Sequence, residues 1–158
     1  MNKIVLLISF FILTSLPKAL AQFEGTFGIG AHAGYGAEVN SLGAGIHIHY
    51  YRTNNLRLAP SFTTFLRTND KSMWMIDGDV HYIIPVSFTA SLYPIAGLHY
   101  SNWKFDIENE VKHRPGVNLG LGFQHDIRYR LRANFELKYQ YMKDYSQIFF
   151  MAGFGFWF

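Results

Sequence analysis

Two histidines, His47 and His49, stand two residues apart in a stretch where apolar and polar residues alternate. If this stretch is a β-strand, both imidazoles lie on one face, because successive side chains of a strand point to opposite faces. Neutral imidazoles bind Zn or Cu, so these two could share a metal ion with His81, or with Asp77 or Asp79. Histidine also fills polar interiors without any metal, since its ring donates and accepts hydrogen bonds at once. We expect a polar filler and keep the metal site as the alternative.

His99 and Ser101 form a second pair at the same spacing. A histidine that takes the proton of a serine makes that serine a nucleophile toward esters, and a nearby acid orients the histidine. Glu108 or Glu110 would be that acid in this chain. The simpler interpretation is an ordinary strand end, which we expect here.

Charged residues share the register of these histidines. The set comprises Arg57, Arg67, Asp77, Asp79, Arg132, Glu136 and Lys138. Buried charges must be paired or lose their charge, so we expect a network of ion pairs that fills the interior of a closed sheet. An ion path gated by the same pairs is the alternative, although a water-filled channel normally takes about sixteen strands.

Eight alternating segments must position these side chains. Each is roughly ten to thirteen residues long, the length that a tilted transmembrane β-strand needs. The predicted strands are 25–36, 41–51, 56–67, 73–84, 90–102, 115–125, 130–142 and 147–158. Pro60 and Pro94 cannot donate to a strand ladder, so we predict a bulge at each. The longest and most charged connection, residues 103–114, is predicted to be a loop on the outer side of the membrane.

The last segment, residues 147–158, is apolar or small on both faces and ends on Phe158. In a soluble domain such a strand would be an unpaired hydrophobic edge and an aggregation hazard. A closed barrel in a membrane has no edge, and acyl chains solvate its apolar face. A buried last strand of a soluble sandwich is the alternative.

Residues 1–21 have the features of a secretory signal peptide. Lys3 precedes an apolar stretch at 4–16, and Ala19-Leu20-Ala21 follows as a cleavage site. Cleavage leaves a single domain at 22–158 and removes two of the 14 lysines and arginines, which leaves 12 against 11 acidic residues. Such a balance argues against a nucleic-acid partner. The chain has no cysteine, which excludes thiolate metal sites and cysteine nucleophiles.

Gly153, Phe156 and Phe158 resemble the C-terminal assembly signal of bacterial outer-membrane barrels, a glycine followed by alternating aromatics. The resemblance implies recognition by the barrel assembly machinery and residence in the outer membrane of a Gram-negative bacterium.

Residues 93–98, 116–123 and 136–139 carry a wider resemblance. Through them the chain resembles the small eight-stranded barrels of the OmpA/OmpX kind, and more narrowly the outer-membrane β-barrel proteins common in Bacteroidetes-type bacteria. This likeness implies fold and location, and it implies no cofactor.

The segment His99-Tyr100-Ser101-Asn102 is similar to the H-x-S-N segment of outer-membrane lipid A deacylases. The similarity implies that His99 is the base and Ser101 the nucleophile. Three departures stand against it. The segment lies on the fifth strand rather than the penultimate one, and His113 stands where that family has an acid. The alternation also places His99 and Ser101 inward, whereas the enzyme must face lipid.

The sequence therefore predicts an all-β protein, an eight-stranded antiparallel up-and-down transmembrane β-barrel without a large pore. We expect a structural or surface-interaction role through its outer loops, with outer-membrane lipid, lipopolysaccharide or an extracellular protein as partner. The alternatives are a lipid A deacylase-like hydrolase, a small gated porin and a lipocalin-like soluble carrier.

Overall fold

The structure, a computed structural model, describes residues 24–68, 71–105, 110–143 and 145–158. The strands are β1 (Phe27–Gly36), β2 (Ser41–Tyr51), β3 (Leu56–Phe65), β4 (Lys71–Tyr82), β5 (Ile84–Pro85), β6 (Ala90–Phe105), β7 (Glu110–Arg128), β8 (Leu131–Met142) and β9 (Tyr145–Trp157). β5 continues β4 after Ile83, because both pair with β6 in one unbroken register. The two are one interrupted strand, so the sheet has eight strands.

These strands form a closed antiparallel barrel. Each strand pairs with its neighbours in the chain, and the last strand, β9, pairs with the first from Gly28↔Trp157 to Gly36↔Phe149. Up-and-down closure of this kind removes both free edges of the sheet. The predicted eight-stranded up-and-down barrel is confirmed. Among the described residues, no helix is long and apolar enough to cross a membrane.

The polarity of the barrel is the reverse of that of a soluble protein. Large apolar side chains cover the outside, where Leu98, Leu119 and Leu137 are 70%, 62% and 54% exposed. Charged and polar side chains are buried inside. Water does not solvate an apolar surface of this extent favourably, whereas acyl chains do. A lipocalin-like carrier needs an apolar interior and a polar exterior, so this interpretation is wrong.

The prolines do not produce the predicted bulges. The β2–β3 ladder keeps one register on both sides of Pro60 and lacks only the pairs beside it. Pro94 lies opposite the interruption around Ile83, where its missing N–H breaks the pairing without shifting the register. The register shift among the described strand pairs lies instead between Asp126 and Arg128 of β7.

The two ends of the barrel differ. The near end holds the turns between β2 and β3, β5 and β6, and β7 and β8, together with Phe158; the far end is the opposite one. The predicted outer loop at 103–114 is wrong, because β6 runs to Phe105 and pairs there with Glu110, the first residue of β7. The charged composition of this segment is typical of a loop, but the alternation of buried and exposed side chains continues along β6, with Trp103 buried and Lys104 exposed.

Two apolar clusters occupy the interior on either side of a polar centre. The far cluster comprises Val39, Phe65, Met73, Met75, Trp103, Phe149 and Met151. The near cluster comprises Tyr51, Ile83, Tyr93, Ile95 and Trp157. Side chains thus fill the interior of this small barrel, as expected for eight strands.

Gly122 is needed to accommodate one ring of the near cluster. It is paired with Tyr93 across the β6–β7 ladder, and a methyl group at Gly122 would collide with the Tyr93 ring. That ring cannot move away easily, since the Arg57 guanidinium stacks on it at 4.5 Å from the centroid. We expect Gly122→Ala to lower the free energy of unfolding by about 1–3 kcal/mol through overpacking.

Urea titration of the barrel in lipid, followed by the fraction of protein with heat-dependent electrophoretic mobility, measures this loss. Gly78→Ala is the matched control, because Gly78 lies on the outer face with nothing within 4 Å of an added methyl group. Equal losses in the two variants would contradict the packing described for Tyr93.

Candidate functional site

Lys138 of β8 lies at the centre of the barrel between two carboxylates of β4. Its Nζ donates to Oδ2 of Asp77 and to Oδ2 of Asp79, each at 2.8 Å, and all three side chains are almost fully buried. Asp77 also accepts from Nδ1 of His99 at 2.6 Å, and Asp79 accepts from Nδ2 of Asn118 at 2.8 Å. These bonds join opposite walls of the barrel, and they meet the requirement that buried charges be paired.

Arg57 of β3 forms a second centre toward the near end. Nη1 donates to Oε1 of Gln124 at 2.6 Å, and Nε and Nη2 approach Nδ1 of His81 at 3.2 and 2.7 Å. Its guanidinium stacks on Tyr93, whose hydroxyl donates to Oε1 of Glu136 at 3.0 Å. The charge of Arg57 is thus connected to a carboxylate through a tyrosine.

The two remaining arginines of the expected network have different positions. Arg132 lies inside the near end, where it donates to both carboxylate oxygens of Asp126 and to the hydroxyl of Tyr51. Asp126 was not among the expected partners, because the register shift beside it changes the alternation. Arg67 is exposed and does not belong to the interior network. β3 ends at Phe65, so the alternation of that strand no longer determines where Arg67 points.

Four of the histidines form a row along the interior wall. The ring centroids of His32, His47, His49 and His81 are separated in turn by 5.6, 4.5 and 5.8 Å. Nε2 of His32 is hydrogen-bonded to Oγ1 of Thr63 at 2.8 Å. The row ends at His81, against the Arg57 guanidinium.

One potential metal-binding group lies at the end of this row. A ring nitrogen of His49, a ring nitrogen of His81 and a carboxylate oxygen of Glu136 lie within 4.8 Å of one another. The candidate set expected from the sequence included His47 and an aspartate of β4, but Lys138 already binds both aspartates. Glu136 was assigned to the ion-pair network alone, because nothing in the sequence indicates which strands face each other across the barrel.

His99 and Ser101 both face the interior rather than the lipid. The Ser101 hydroxyl lies 3.4 Å from the carbonyl oxygen of Arg114 and 3.3 Å from the sulfur of Met142, and it accepts from Nε1 of Trp103 at 3.0 Å. The carboxylate beside His99 is Asp77. In this geometry Ser101 links strands inside the barrel, away from any acyl ester in the membrane.

The acids expected to orient His99 cannot be compared with this geometry. Glu108 lies outside the described residues, and of Glu110 only the backbone pairing is described.

The residues of the C-terminal motif have separate roles in the barrel. Gly153 is paired with His32 of β1, and a methyl group there would crowd the His32 side chain. Phe156 and Phe158 point outward. The backbone N–H of Phe158 donates to the carbonyl oxygen of Phe27 at 2.9 Å, which extends the closure of the barrel by one bond. The predicted signal peptide at 1–21 lies outside the described residues and stays a prediction.

β7 extends past β8 at the far end, whereas β4 accompanies β6 to its last pair, Lys71↔Phe105. We name residues 102–105 of β6 and 110–114 of β7 the far hairpin. β7 pairs with β8 only from Gly116↔Met142 onward, whereas its pairing with β6 continues to Glu110. The guanidinium of Arg114 lies 4.8 Å from the ring centroid of Trp103 and 3.5 Å from that of Tyr145, which fixes the base of the hairpin.

The exposed part of the far hairpin carries basic groups. Lys104 and His113 are exposed and Lys112 is half-buried. Nδ1 of His113 is hydrogen-bonded to the hydroxyl of Tyr100 at 2.6 Å on the outer face. The ammonium groups of lysines are suited to binding phosphate or sulfate.

Comparison with known proteins agrees with this architecture. A family model described as "Outer membrane protein beta-barrel domain" matches residues 7–158. No curated protein matches the sequence. Three solved structures have a similar fold at low identity. The N-terminal β-barrel domain of Pseudomonas aeruginosa OprF has a TM-score of 0.72 at 19% identity, over 85% of this chain and 98% of that one.

The other two are chains of similar length. Neisserial surface protein A has a TM-score of 0.67 at 18% identity, over 84% of this chain and 99% of that one. Ail, the attachment invasion locus protein of Yersinia pestis, in complex with the heparin analogue sucrose octasulfate, has a TM-score of 0.63 at 18% identity, over 85% of this chain and 99% of that one.

Proposed function

Since this chain belongs to the outer membrane protein β-barrel domain family, we propose that it acts at the outer-membrane surface by binding the phosphate groups of lipopolysaccharide. The observation that carries the proposal is the far hairpin, whose β7 strand extends past β8 and which carries Lys104, Lys112 and His113. In this arrangement the barrel is a rigid support and the far hairpin is the binding element.

The proposal orients the far end toward the outside of the cell and the near end toward the periplasm. The first strand begins at the near end and the last strand ends there, where the backbones of Phe27 and Phe158 are hydrogen-bonded. Barrels of this class have their short turns on the periplasmic side and extend farther on the outer side. The part of β7 that extends past β8 fits the outer side for the same reason.

The packed interior supports binding rather than transport. A gated path would require the far cluster and the near cluster both to open, and it would also require Lys138 to leave Asp77 and Asp79. Breaking a buried ion pair of this kind costs about 3–5 kcal/mol. A small gated porin is therefore the less favoured function.

The chemistry of the far hairpin limits the kind of ligand. Asp106, Glu108 and Glu110 lie in the same segment of the sequence as its basic residues. A hairpin of mixed charge does not bind every polyanion, so we expect contacts with individual phosphate groups. The Ail barrel in complex with a sulfated sugar supports, at the level of the fold, the binding of an anionic saccharide by such a protein.

Replacing both lysines of the far hairpin tests the proposal. We expect Lys104→Gln/Lys112→Gln to weaken binding of the phosphorylated core oligosaccharide of lipopolysaccharide by about 30-fold, since each lysine near an anionic surface contributes about 1 kcal/mol. The measurement is titration calorimetry on the barrel in phosphatidylcholine nanodiscs at low salt.

The control is Arg128→Gln/Arg130→Gln, which removes the same charge from exposed residues at the near end. It should leave the affinity within about twofold of the starting protein, because charges on the other side of the bilayer are screened. Equal losses in the two double variants, or unchanged binding of a dephosphorylated oligosaccharide, would exclude the proposed site.

A further inference from the structure

We infer that the interior of the barrel contains a transition-metal site formed by His49, His81 and Glu136, with Zn²⁺ as the ion that best suits its donors. This site is separate from the far hairpin, and it does not depend on the function proposed for that surface.

The three donors come from strands that are not neighbours in the sheet. His49 lies on β2, His81 on β4 and Glu136 on β8, and all three are at most 3% exposed. One ligand atom of each lies within 4.8 Å of the other two. In a tetrahedral Zn²⁺ site with bonds of about 2.0–2.2 Å, the ligand atoms lie about 3.5 Å from one another. Side-chain rotations that move each ligand atom by about an ångström would therefore complete the site.

Buried nitrogens without partners are the second observation. Among the described residues, Nε2 of His47, Nδ1 of His49 and Nε2 of His81 are buried and have no hydrogen-bond partner. A buried polar group without a partner is destabilising, and a folded protein does not normally leave several adjacent atoms in this state. These nitrogens therefore indicate that a polar species belongs between them.

A cavity of suitable size lies at the same place. Its volume is about 10 Å³, and its lining includes His47, His49, His81 and Glu136. That is the space of one water molecule or one metal ion. Nitrogen donors select Zn²⁺, Cu²⁺ or Ni²⁺ over Ca²⁺ and Mg²⁺, which prefer all-oxygen sites.

The hydrogen bonds of Arg57 determine which tautomer of His81 has to change when a metal binds. Arg57 donates to Nδ1 of His81, so the neutral His81 ring carries its proton on Nε2. Histidine binds a metal as a neutral imidazole through its unprotonated nitrogen, so coordination through Nε2 requires the tautomer with the proton on Nδ1. The ring loses its Nε2 proton to water and gains one on Nδ1, and the guanidinium turns away from Nδ1 while it keeps its bond to Gln124 and its stacking on Tyr93.

The charge of the polar centre also favours a bound cation. With the histidines neutral, Arg57 and Lys138 oppose Asp77, Asp79 and Glu136, which leaves one negative charge in excess. This excess favours a cation over an anion in the cavity.

The site stabilises the barrel and is not catalytic. Catalytic zinc needs an open coordination position that a substrate can reach. Here the far cluster and the near cluster close the interior on both sides. A metal ion at this place instead ties β2, β4 and β8 together across the barrel.

The test is metal retention by the refolded full chain. The protein is refolded from urea into detergent with Zn²⁺, washed with a chelator and assayed for zinc by mass spectrometry; refolding with Co²⁺ adds a visible absorption band that reports tetrahedral geometry. We expect about one zinc per chain, and less than about a tenth of that in His49→Gln and in Glu136→Gln.

Two controls separate the interior site from other histidines. His32→Gln changes a buried histidine of the same row that is hydrogen-bonded to Thr63, and it should keep its zinc. His113→Ala/His125→Ala removes two exposed histidines and should also keep it.

Folding of every variant is checked by its heat-dependent electrophoretic mobility. Zinc absent from the folded starting protein, or zinc retained in His49→Gln but lost in His113→Ala/His125→Ala, would overturn the inference and leave the cavity to a water molecule. If neither His49→Gln nor Glu136→Gln folds, the Co²⁺ spectrum of the starting protein decides, because six-coordinate surface binding gives only a weak band.

Discussion

Replacing Lys138 with methionine is expected to lower the free energy of unfolding by about 3–5 kcal/mol, the largest effect expected of any single substitution in this barrel. The change keeps most of the length of the side chain but removes the ammonium group that donates to both Asp77 and Asp79 at 2.8 Å. The two carboxylates then remain buried next to each other without a counter-charge. The loss is measured by urea titration in lipid with heat-dependent mobility as the readout.

A triple variant shows whether the loss comes from the unpaired carboxylates. Lys138→Met/Asp77→Asn/Asp79→Asn removes all three charges together, and we expect it to recover most of the lost stability, because replacing a whole buried ion-pair group is often nearly neutral. Lys143→Met, at an exposed position of the far end, should change stability by less than about 0.5 kcal/mol. A Lys138→Met protein as stable as the Lys143→Met protein would contradict the central network.

The residue before Lys138 on β8 points to the outside of the barrel, and replacing it tests whether the outer face contacts the membrane. Leu137 is exposed on the outer face, and its partners across the ladders are Leu121 of β7 and Phe150 of β9, which are also exposed. We expect Leu137→Arg to cost about 2–4 kcal/mol, because an arginine at the bilayer midplane has to leave water. Folding into liposomes, with urea titration of the inserted barrel, measures the cost.

Two variants control for effects other than membrane depth. Leu137→Ala removes apolar surface without adding charge, and Tyr141→Arg places the same charge on the outer face near the end of β8, where the cost should fall to about 0–1 kcal/mol. If Leu137→Arg is as stable as Tyr141→Arg in lipid, the outer face does not lie against acyl chains at this height.

The sequence was sufficient to predict the eight strands and the direction of nearly every interior side chain. The alternation of apolar and polar residues is a local property of the sequence, and it persists through all eight segments. It can therefore be recognised without knowledge of long-range contacts and is not confused with the periodicity of a helix. This is why the alternation alone was enough to assign Asp77, His99 and Lys138 to the interior, where they are buried. The same alternation, read past its proper end, wrongly assigned Arg67.

Contacts across the interior could not be predicted in the same way. Which side chains meet depends on the stagger between strands that are not neighbours, and this stagger is a property of the closed barrel as a whole. Glu136 therefore appeared only as an ion-pair residue, although it lies beside His49 and His81. The lengths of β6 and β7 were also missed, because the segment 103–114 has the charged composition of a loop, while the backbone of its described residues, 103–105 and 110–114, is paired.

The bonds from Lys138 to Asp77 and Asp79 also constrain the order of events during folding. They connect residues about sixty positions apart in the chain, on walls that face each other only after the barrel has closed. Before closure, the charged face of β8 would lie in hydrocarbon without a partner, at a cost of several kcal/mol per charge. Insertion of single strands one after another is therefore unfavourable. We therefore expect the barrel to close while it inserts, and its folding in lipid to be a slow and highly cooperative reaction.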